Sequence, residues 1–248
     1  MLGALAWGAS QVCVLTTERT ADTYAAALAK QMGFAQAIVR GLGYGGEHFS
    51  VIDAVALESK LWALQPARVP QQAAAFNLSV EKRTSLDFAF DHLAKHAPHP
   101  AEEIALPAGA PLGALAVDKA ACTLCKACIG ACPEAALLDA PDYPRLRFIE
   151  RNCVQCGLCA DTCPEDAIRL VPRLLLGAQA KSPVTLNEAE PFNCVRCGNP
   201  FSTKAMIDSM LGKVAGHSMF ASGGALKRLQ MCADCRVVDM MSAKDEPS

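Results

Sequence analysis

The feature that most constrains this chain is a run of four closely spaced cysteines that occurs twice. The first run, CTLCKACIGACP, begins at Cys122, and the second, CVQCGLCADTCP, begins at Cys153. Both have the pattern C-x2-C-x2-C-x3-C-P, and residues beyond the cysteines also correspond, since Glu134 aligns with Glu165. This agreement indicates that a whole structural unit is duplicated, and not only its ligands.

The spacing within each run is typical of bacterial-type proteins with two iron–sulfur clusters. Three thiolates on a tight loop can each reach one iron of a cubane, while the fourth cysteine opens a helix that carries it toward the other cluster. Zinc sites use pairs of cysteines instead of three-plus-one runs. The sequence therefore predicts two [4Fe–4S] clusters with crossed ligation. Cluster I takes Cys122, Cys125, Cys128 and Cys163, and cluster II takes Cys153, Cys156, Cys159 and Cys132.

The two cysteine loops differ at a position that bears on reduction potential. The first loop has Lys126 where the second has Gly157. A positive charge near a cluster stabilises its reduced, more negative form. Lys126 is therefore expected to raise the potential of cluster I; the alternative is a long, exposed lysine that is simply solvated.

A third set of cysteines lies nearer the C-terminus, in NCVRCGNPF (193–201) and MCADCRV (231–237). Two C-x2-C pairs are metal-site spacing, and Gly198 suits the tight turn of a zinc knuckle. Structural zinc is the favoured interpretation. A third iron–sulfur cluster, unmetallated thiols and two separate sites stay open as alternatives. The four candidate ligands are Cys194, Cys197, Cys232 and Cys235.

Between and beyond these pairs the sequence predicts one helix. STKAMIDSMLGKVAG (202–216) has helical character, with Ser202 or Thr203 as its N-cap. The segment 217–228 is rich in turn-forming residues, and residues 241–248 are expected to form a frayed tail.

Residues 1–115 have an α/β pattern. Strands are predicted at 11–17 and 48–54, with a last strand within 102–111, and helices within 18–39, 55–64 and 85–97. Such alternation favours a parallel sheet of the nucleotide-fold type. The chain enters this pattern abruptly, as if an earlier part were missing.

The sequence thus divides into three predicted domains. These are an α/β domain (1–115), an α+β two-cluster ferredoxin-like domain (116–172) and a four-cysteine metal-knuckle region with a helix and tail (173–248).

Composition narrows the class of protein. The chain is 52% hydrophobic and 19% charged, as folded proteins are, and its net charge of -2 gives no reason to expect nucleic acid as a partner. No apolar run is long enough for membrane insertion, and no positively charged export signal precedes the first apolar residues. All cysteines except Cys13 lie after residue 121. We therefore expect a cytoplasmic protein whose cysteines bind metal and do not form disulfides.

Several strings carry a wider resemblance, from about Ala105 to Val238. They are LPAGAPLGALAVDKAACTLCKACIGACP, RFIERNCVQCGLCADTCPEDAI, EPFNCVRCGNPF and MCADCRV. Together they resemble the C-terminal half of a family of bacterial 4Fe–4S dicluster-domain proteins. Members are longer, with further ferredoxin motifs upstream, and are associated with molybdenum-dependent formate dehydrogenases or related oxidoreductases. The resemblance implies electron transfer with such an oxidoreductase as a redox partner.

The sequence is compatible with three functions. The leading interpretation is an electron carrier or electron-transfer subunit, which is not an enzyme by itself. Catalysis at a cluster needs an open iron, and eight cysteines on two cubanes leave none. Besides catalysis, the other alternative is a metal-dependent assembly, interaction or redox-sensing module whose clusters are structural. Reversible reduction by a partner separates this module from a carrier.

Overall fold

A computed structural model describes residues 1–141, 143–214, 216–220 and 223–242. The chain packs as two units. The first comprises Met1–Ala114 with Cys153–Gln155 and Val171–Ser182, and the second comprises Leu115–Asn152, Cys156–Leu170 and Pro183–Ser248. The expected tail lies largely outside the described residues, because only Met241 and Ser242 of it are described. The three-domain division stays a prediction.

The first unit is a mixed α/β structure. Its elements are α1 (Leu2–Ala6), β1 (Val12–Thr16), α2 (Asp22–Gly41), β2 (Phe49–Asp53), α3 (Leu57–Ala63), α4 (Lys82–Lys95) and β3 (Glu103–Ala105). All three predicted helices are present. The added helix α1 is a five-residue segment with Leu5 and Ala6 fully buried against the core.

The predicted parallel sheet exists but is small. β1 and β2 pair in parallel from Val12↔Phe49 to Thr16↔Asp53, as a sheet of two strands. The third predicted strand does not join it. β3 instead pairs antiparallel with a strand after the cysteine repeat, in the register Glu103↔Leu175. The first unit therefore has less of a nucleotide-type sheet than the alternation suggested.

One hydrophobic core holds the first unit together. The C-terminal half of α2 contributes Phe34, Ile38 and Val39, which pack with Phe90 and Leu93 of α4. Burial of each large apolar side chain stabilises the fold by about 1.5–3 kcal/mol. The N-terminal half of α2 lies mostly outside this core, with Tyr24 62% exposed.

Short strands and single-turn helices lie in the cysteine repeat and on either side of it. They are β4 (Gly113–Val117), α5 (Ala127–Gly130), β5 (Leu137–Asp139), β6 (Arg145–Phe148), α6 (Leu158–Asp161) and β7 (Ile168–Leu175). β7 lies between β3 and β4 in a three-stranded sheet. β5 and β6 pair antiparallel, and their buried Leu137 and Phe148 face each other across the ladder.

The C-terminal part of the second unit begins with strands and ends with helices. The elements are β8 (Val184–Glu188), β9 (Pro191–Asn193), β10 (Pro200–Thr203), α7 (Lys204–Val214), α8 (Gly223–Leu229) and α9 (Ala233–Ser242). β8 pairs with β6, and β9 and β10 form an antiparallel hairpin. α8 lies mostly within the segment 217–228 that was predicted to be rich in turns, and the second half of that segment is helical instead.

Candidate functional site

The two cysteine loops share one backbone conformation. Every described non-glycine residue with a positive φ lies in the repeat, and each has an equivalent with positive φ in the other copy. The equivalent pairs are Leu124 with Gln155, Lys126 with Gly157, and Ala135 with Asp166. Leucine, lysine and alanine adopt this region only at a cost. Because this costly conformation recurs at equivalent positions, both loops must need the same backbone path.

Hydrogen bonds between the copies are exchanged in a crossed manner. The Asp118 N–H donates to the Ala167 carbonyl at 2.8 Å, and the equivalent Ile149 N–H donates to the Ala136 carbonyl at 2.8 Å. Each bond joins a residue a few positions before one motif to a residue a few positions after the other motif. α5 and α6 also pack against each other. The duplicated halves thus contact each other through equivalent hydrogen bonds in both directions, as crossed ligation requires.

One cavity in the second unit brings cysteines of both motifs together. Cys163 of the second motif lines it, as do three cysteines of the first. Leu146 and Ile168 supply apolar walls. The cysteines in its lining are Cys122, Cys125, Cys128 and Cys163. This is the set predicted for cluster I.

The electrostatics of this cavity suit bound metal. Burial and, to a lesser extent, the neighbouring Cys125 and Cys122 sulfurs together raise the pKa of Cys128 to about 12. Adjacent thiolates in a buried site are unfavourable unless a cation compensates their charge, and metal binding supplies that charge. The residues present therefore fit an iron–sulfur cluster.

The fourth cysteine of each motif accepts an equivalent backbone hydrogen bond. The Ala136 N–H donates to Cys132 Sγ at 3.3 Å, and the Ala167 N–H donates to Cys163 Sγ at 3.4 Å. Such backbone donors orient a ligating sulfur and stabilise its negative charge. Both fourth cysteines are therefore prepared as ligands.

The four cysteines predicted to bind cluster II are divided between the two units. Cys132, Cys156 and Cys159 belong to the second unit, and Cys153 belongs to the short stretch grouped with the first. Cys153 is buried, and its Sγ accepts the backbone N–H of Gln155 at 3.4 Å. The ligand set of cluster II stays a prediction.

Helix α7 is fastened to the repeat by side chains that sequence reasoning did not connect. Thr203 Oγ1 accepts the Met206 N–H at 3.2 Å, which identifies Thr203 as the N-cap, and donates to the Thr123 carbonyl at 2.9 Å. Hydrogen bonds from Lys213 and Ser209 lower the pKa of Glu165. The helix is thus attached to both cysteine motifs. Thr203 and Thr123 are 80 residues apart, and no sequence pattern predicts that they are hydrogen-bonded.

The last four cysteines converge on one point. Cys194 and Cys197 lie in the β9–β10 turn, where Gly198 has a φ of +76°, while Cys232 precedes α9 and Cys235 lies within it. Their four Sγ atoms all lie within 4.8 Å of one another. In the described ranges they are the only such group of three or more potential metal-ligating side chains. This group can hold a metal.

The sulfur spacing separates this site from the cluster cavity. A tetrahedral ion with metal–sulfur bonds of about 2.3 Å places its ligands about 3.8 Å apart. Cys197 Sγ lies 3.7 Å from Cys232 Sγ. Ligands of a cubane bind different irons and must lie wider apart. The cysteines of the cluster I cavity do not form a tight group of this kind in the described part of the chain.

The electrostatics of the four-cysteine group also suit a cation. Burial raises the pKa of Cys194, but backbone N–H groups of Cys197 and Cys232 outweigh it and hold the pKa at about 6. Burial and the neighbouring sulfurs raise the pKa of Cys235 to about 12. Cys194 is therefore favoured as a thiolate without metal, whereas Cys235 is favoured as a thiolate only when a metal binds.

Comparison with known families agrees with the geometry of the repeat. Residues 121–168 match the 4Fe-4S dicluster domain family. This dicluster domain implies two [4Fe–4S] clusters and electron transfer through them. The match covers less than half of the chain. No curated protein matches the sequence.

No described helix of this chain is both long and apolar enough to cross a bilayer.

Lys126 of the dicluster domain has an environment that weakens the expected effect of its charge. Its ammonium forms an ion pair with Asp139, and both side chains are more than a third exposed. We predict that Lys126→Gly changes the potential of cluster I by less than about 59 mV, a tenfold change for a one-electron couple. Asp139 and solvent already offset the charge, and glycine tolerates the φ of 64°.

A redox titration monitored by EPR measures this change, and Asp139→Asn serves as the matched control. Removing Asp139's charge leaves Lys126 uncompensated and is expected to raise the potential. A large negative shift in Lys126→Gly would show instead that the lysine charge dominates.

Proposed function

We propose that this chain is an electron-transfer protein or subunit that passes single electrons through two [4Fe–4S] clusters between redox partners. The observation that carries the proposal is the cavity lined by Cys122, Cys125, Cys128 and Cys163, in which three cysteines of one motif meet the fourth of the other. When bound, each cluster supplies one-electron redox chemistry. The chain's own residues hold the clusters, adjust their potentials and bring the ligand loops to the surface.

Surface access at both loops supports this role. Cys125 and Lys126 also line an open groove together with Tyr143 and Phe201. In the other loop, Cys156 is exposed. Electrons can therefore reach either loop from a docked protein without crossing the core. A structural cluster would not need two loops at the surface.

The redox partner is proposed to be a formate dehydrogenase-type oxidoreductase or a related enzyme. The segment from about Ala105 to Val238 resembles dicluster-domain proteins that are associated with such enzymes, and this resemblance supports the choice. The test uses purified formate dehydrogenase, formate and the anaerobic holoprotein. Bleaching of the cluster absorbance that requires both formate and the enzyme is expected. Reduction by other dehydrogenase systems but not by this one would reject the partner while keeping the electron-transfer role.

For the four-cysteine group we propose a single structural zinc ion. The 3.7 Å approach of Cys197 Sγ and Cys232 Sγ supports one ion over a third cubane. The ion would join the β9–β10 turn to α9.

The direct test of the electron-transfer role is redox titration of anaerobically purified holoprotein. We expect about eight irons per chain, as two four-iron cubanes supply, and two reversible one-electron reductions. Clusters that no low-potential donor reduces would instead favour the assembly or sensing module.

A further inference from the structure

The hydroxyl of Thr123 is a buried group with no hydrogen-bond partner among the described residues. Thr123 lies between Cys122 and Cys125, is 8% exposed and lines the cluster I cavity. Within the described residues nothing hydrogen-bonds its Oγ1. Buried hydroxyls in native proteins almost always have a partner, because leaving one unpaired is destabilising. The partner is therefore to be sought inside the cavity.

The backbone around Thr123 is held from outside the cavity. Its carbonyl accepts the hydroxyl of Thr203, which is only 3% exposed, at 2.9 Å. The preceding carbonyl, of Cys122, accepts Asn187 Nδ2 at 3.3 Å. These two contacts, one buried and one partly buried, fix the peptide on either side of the Thr123 Cα. The side chain is thereby kept in the cavity wall.

We propose that Thr123 Oγ1 donates a hydrogen bond to a sulfur of the cluster held by Cys122, Cys125, Cys128 and Cys163, and so raises its reduction potential. The inference rests on the proposed function. One-electron reduction makes the cluster more negative, so a donor to its sulfurs stabilises the reduced form more than the oxidised form. Thr123 touches the cofactor and adjusts its potential, and it is not a ligand.

The repeat supplies its own comparison for this residue. The position equivalent to Thr123 is Val154. Valine has the shape of threonine without the hydroxyl, so the second loop makes no such bond from that position. Thr123→Val therefore gives the first loop a residue that the second loop already accommodates. It removes the donor with little change in volume.

The test is redox titration of anaerobic full-length holoprotein, with cluster I identified as the EPR signal that Cys122→Ala abolishes. In Thr123→Val we expect the equilibrium constant for reduction of cluster I to fall about tenfold, a shift of about 59 mV to lower potential. Iron content and the potential of the other cluster stay unchanged. Thr123→Ser, which keeps a hydroxyl, restores at least part of the shift.

Three outcomes are distinguished. If the parent protein titrates reversibly and Thr123→Val leaves cluster I unshifted, the Thr123 assignment is overturned and the electron-transfer role stands. If the parent cannot be reduced, the proposed function fails first. Should Thr123→Val lose iron, a crystal structure of the parent holoprotein decides, because Oγ1 beyond hydrogen-bond distance of every cluster sulfur overturns the proposal.

Discussion

Cys163→Ala is expected to remove the cluster of the first motif and to leave that of its own motif in place. About four of about eight irons should be lost, as expected for one of two cubanes. The reason is geometric, because Cys163 lines one cavity with three cysteines of the first motif. The measurement is iron analysis combined with EPR of the reduced protein.

The matched controls are single substitutions within each loop. Cys122→Ala should leave the same residual EPR spectrum as Cys163→Ala, and Cys156→Ala the same spectrum as Cys132→Ala. A Cys163→Ala spectrum that instead equals that of Cys156→Ala would show that each motif ligates its own cluster. Alanine is used because a serine oxygen can still ligate iron.

Cys232→Ala is expected to abolish metal binding at the C-terminal group. The loss should be about one zinc per chain, as a single four-cysteine site holds, with about eight irons retained as two cubanes. Structural zinc in small peptides contributes about 10–16 kcal/mol of apparent binding free energy. Without it, limited proteolysis should cut between β9 and α9 faster than in the parent.

Cys13→Ala is the control for this experiment. Cys13 lies in β1, where it accepts a hydrogen bond from the Ser50 hydroxyl at 3.3 Å, and is remote in sequence from every predicted ligand. Its zinc and iron contents should equal those of the parent. Loss of about four irons from Cys232→Ala, with no zinc in the parent, would contradict the zinc assignment and favour a third cubane.

The repeat could be predicted from the sequence because its chemistry is local. Cysteine spacing fixes which sulfurs share a loop, and the correspondence of Glu134 with Glu165 signals a shared backbone. The positive φ values of Leu124 and Lys126 could not be predicted, since neither residue type favours that conformation. Of these two residues and their equivalents in the second loop, the one whose type favours a positive φ is Gly157, at the position equivalent to Lys126.

Long-range pairing was beyond the sequence. β3 was expected to extend a parallel sheet, but it pairs antiparallel with β7, which follows the whole repeat. Nothing in a three-residue strand specifies a partner so distant. The same holds for Thr123, whose importance rests on burial and an unpaired hydroxyl. A threonine between two cysteines carries no such signal in the sequence alone.

The central claim is that the two motifs form one pair of centres between which electrons pass. EPR of the fully reduced holoprotein tests it most directly. Crossed ligation would place the two paramagnetic clusters close together, so we expect a spectrum broadened and split by spin–spin interaction, which simplifies when Cys163→Ala removes one partner. A fully reduced spectrum that equals the sum of the two single-cluster spectra would contradict the account.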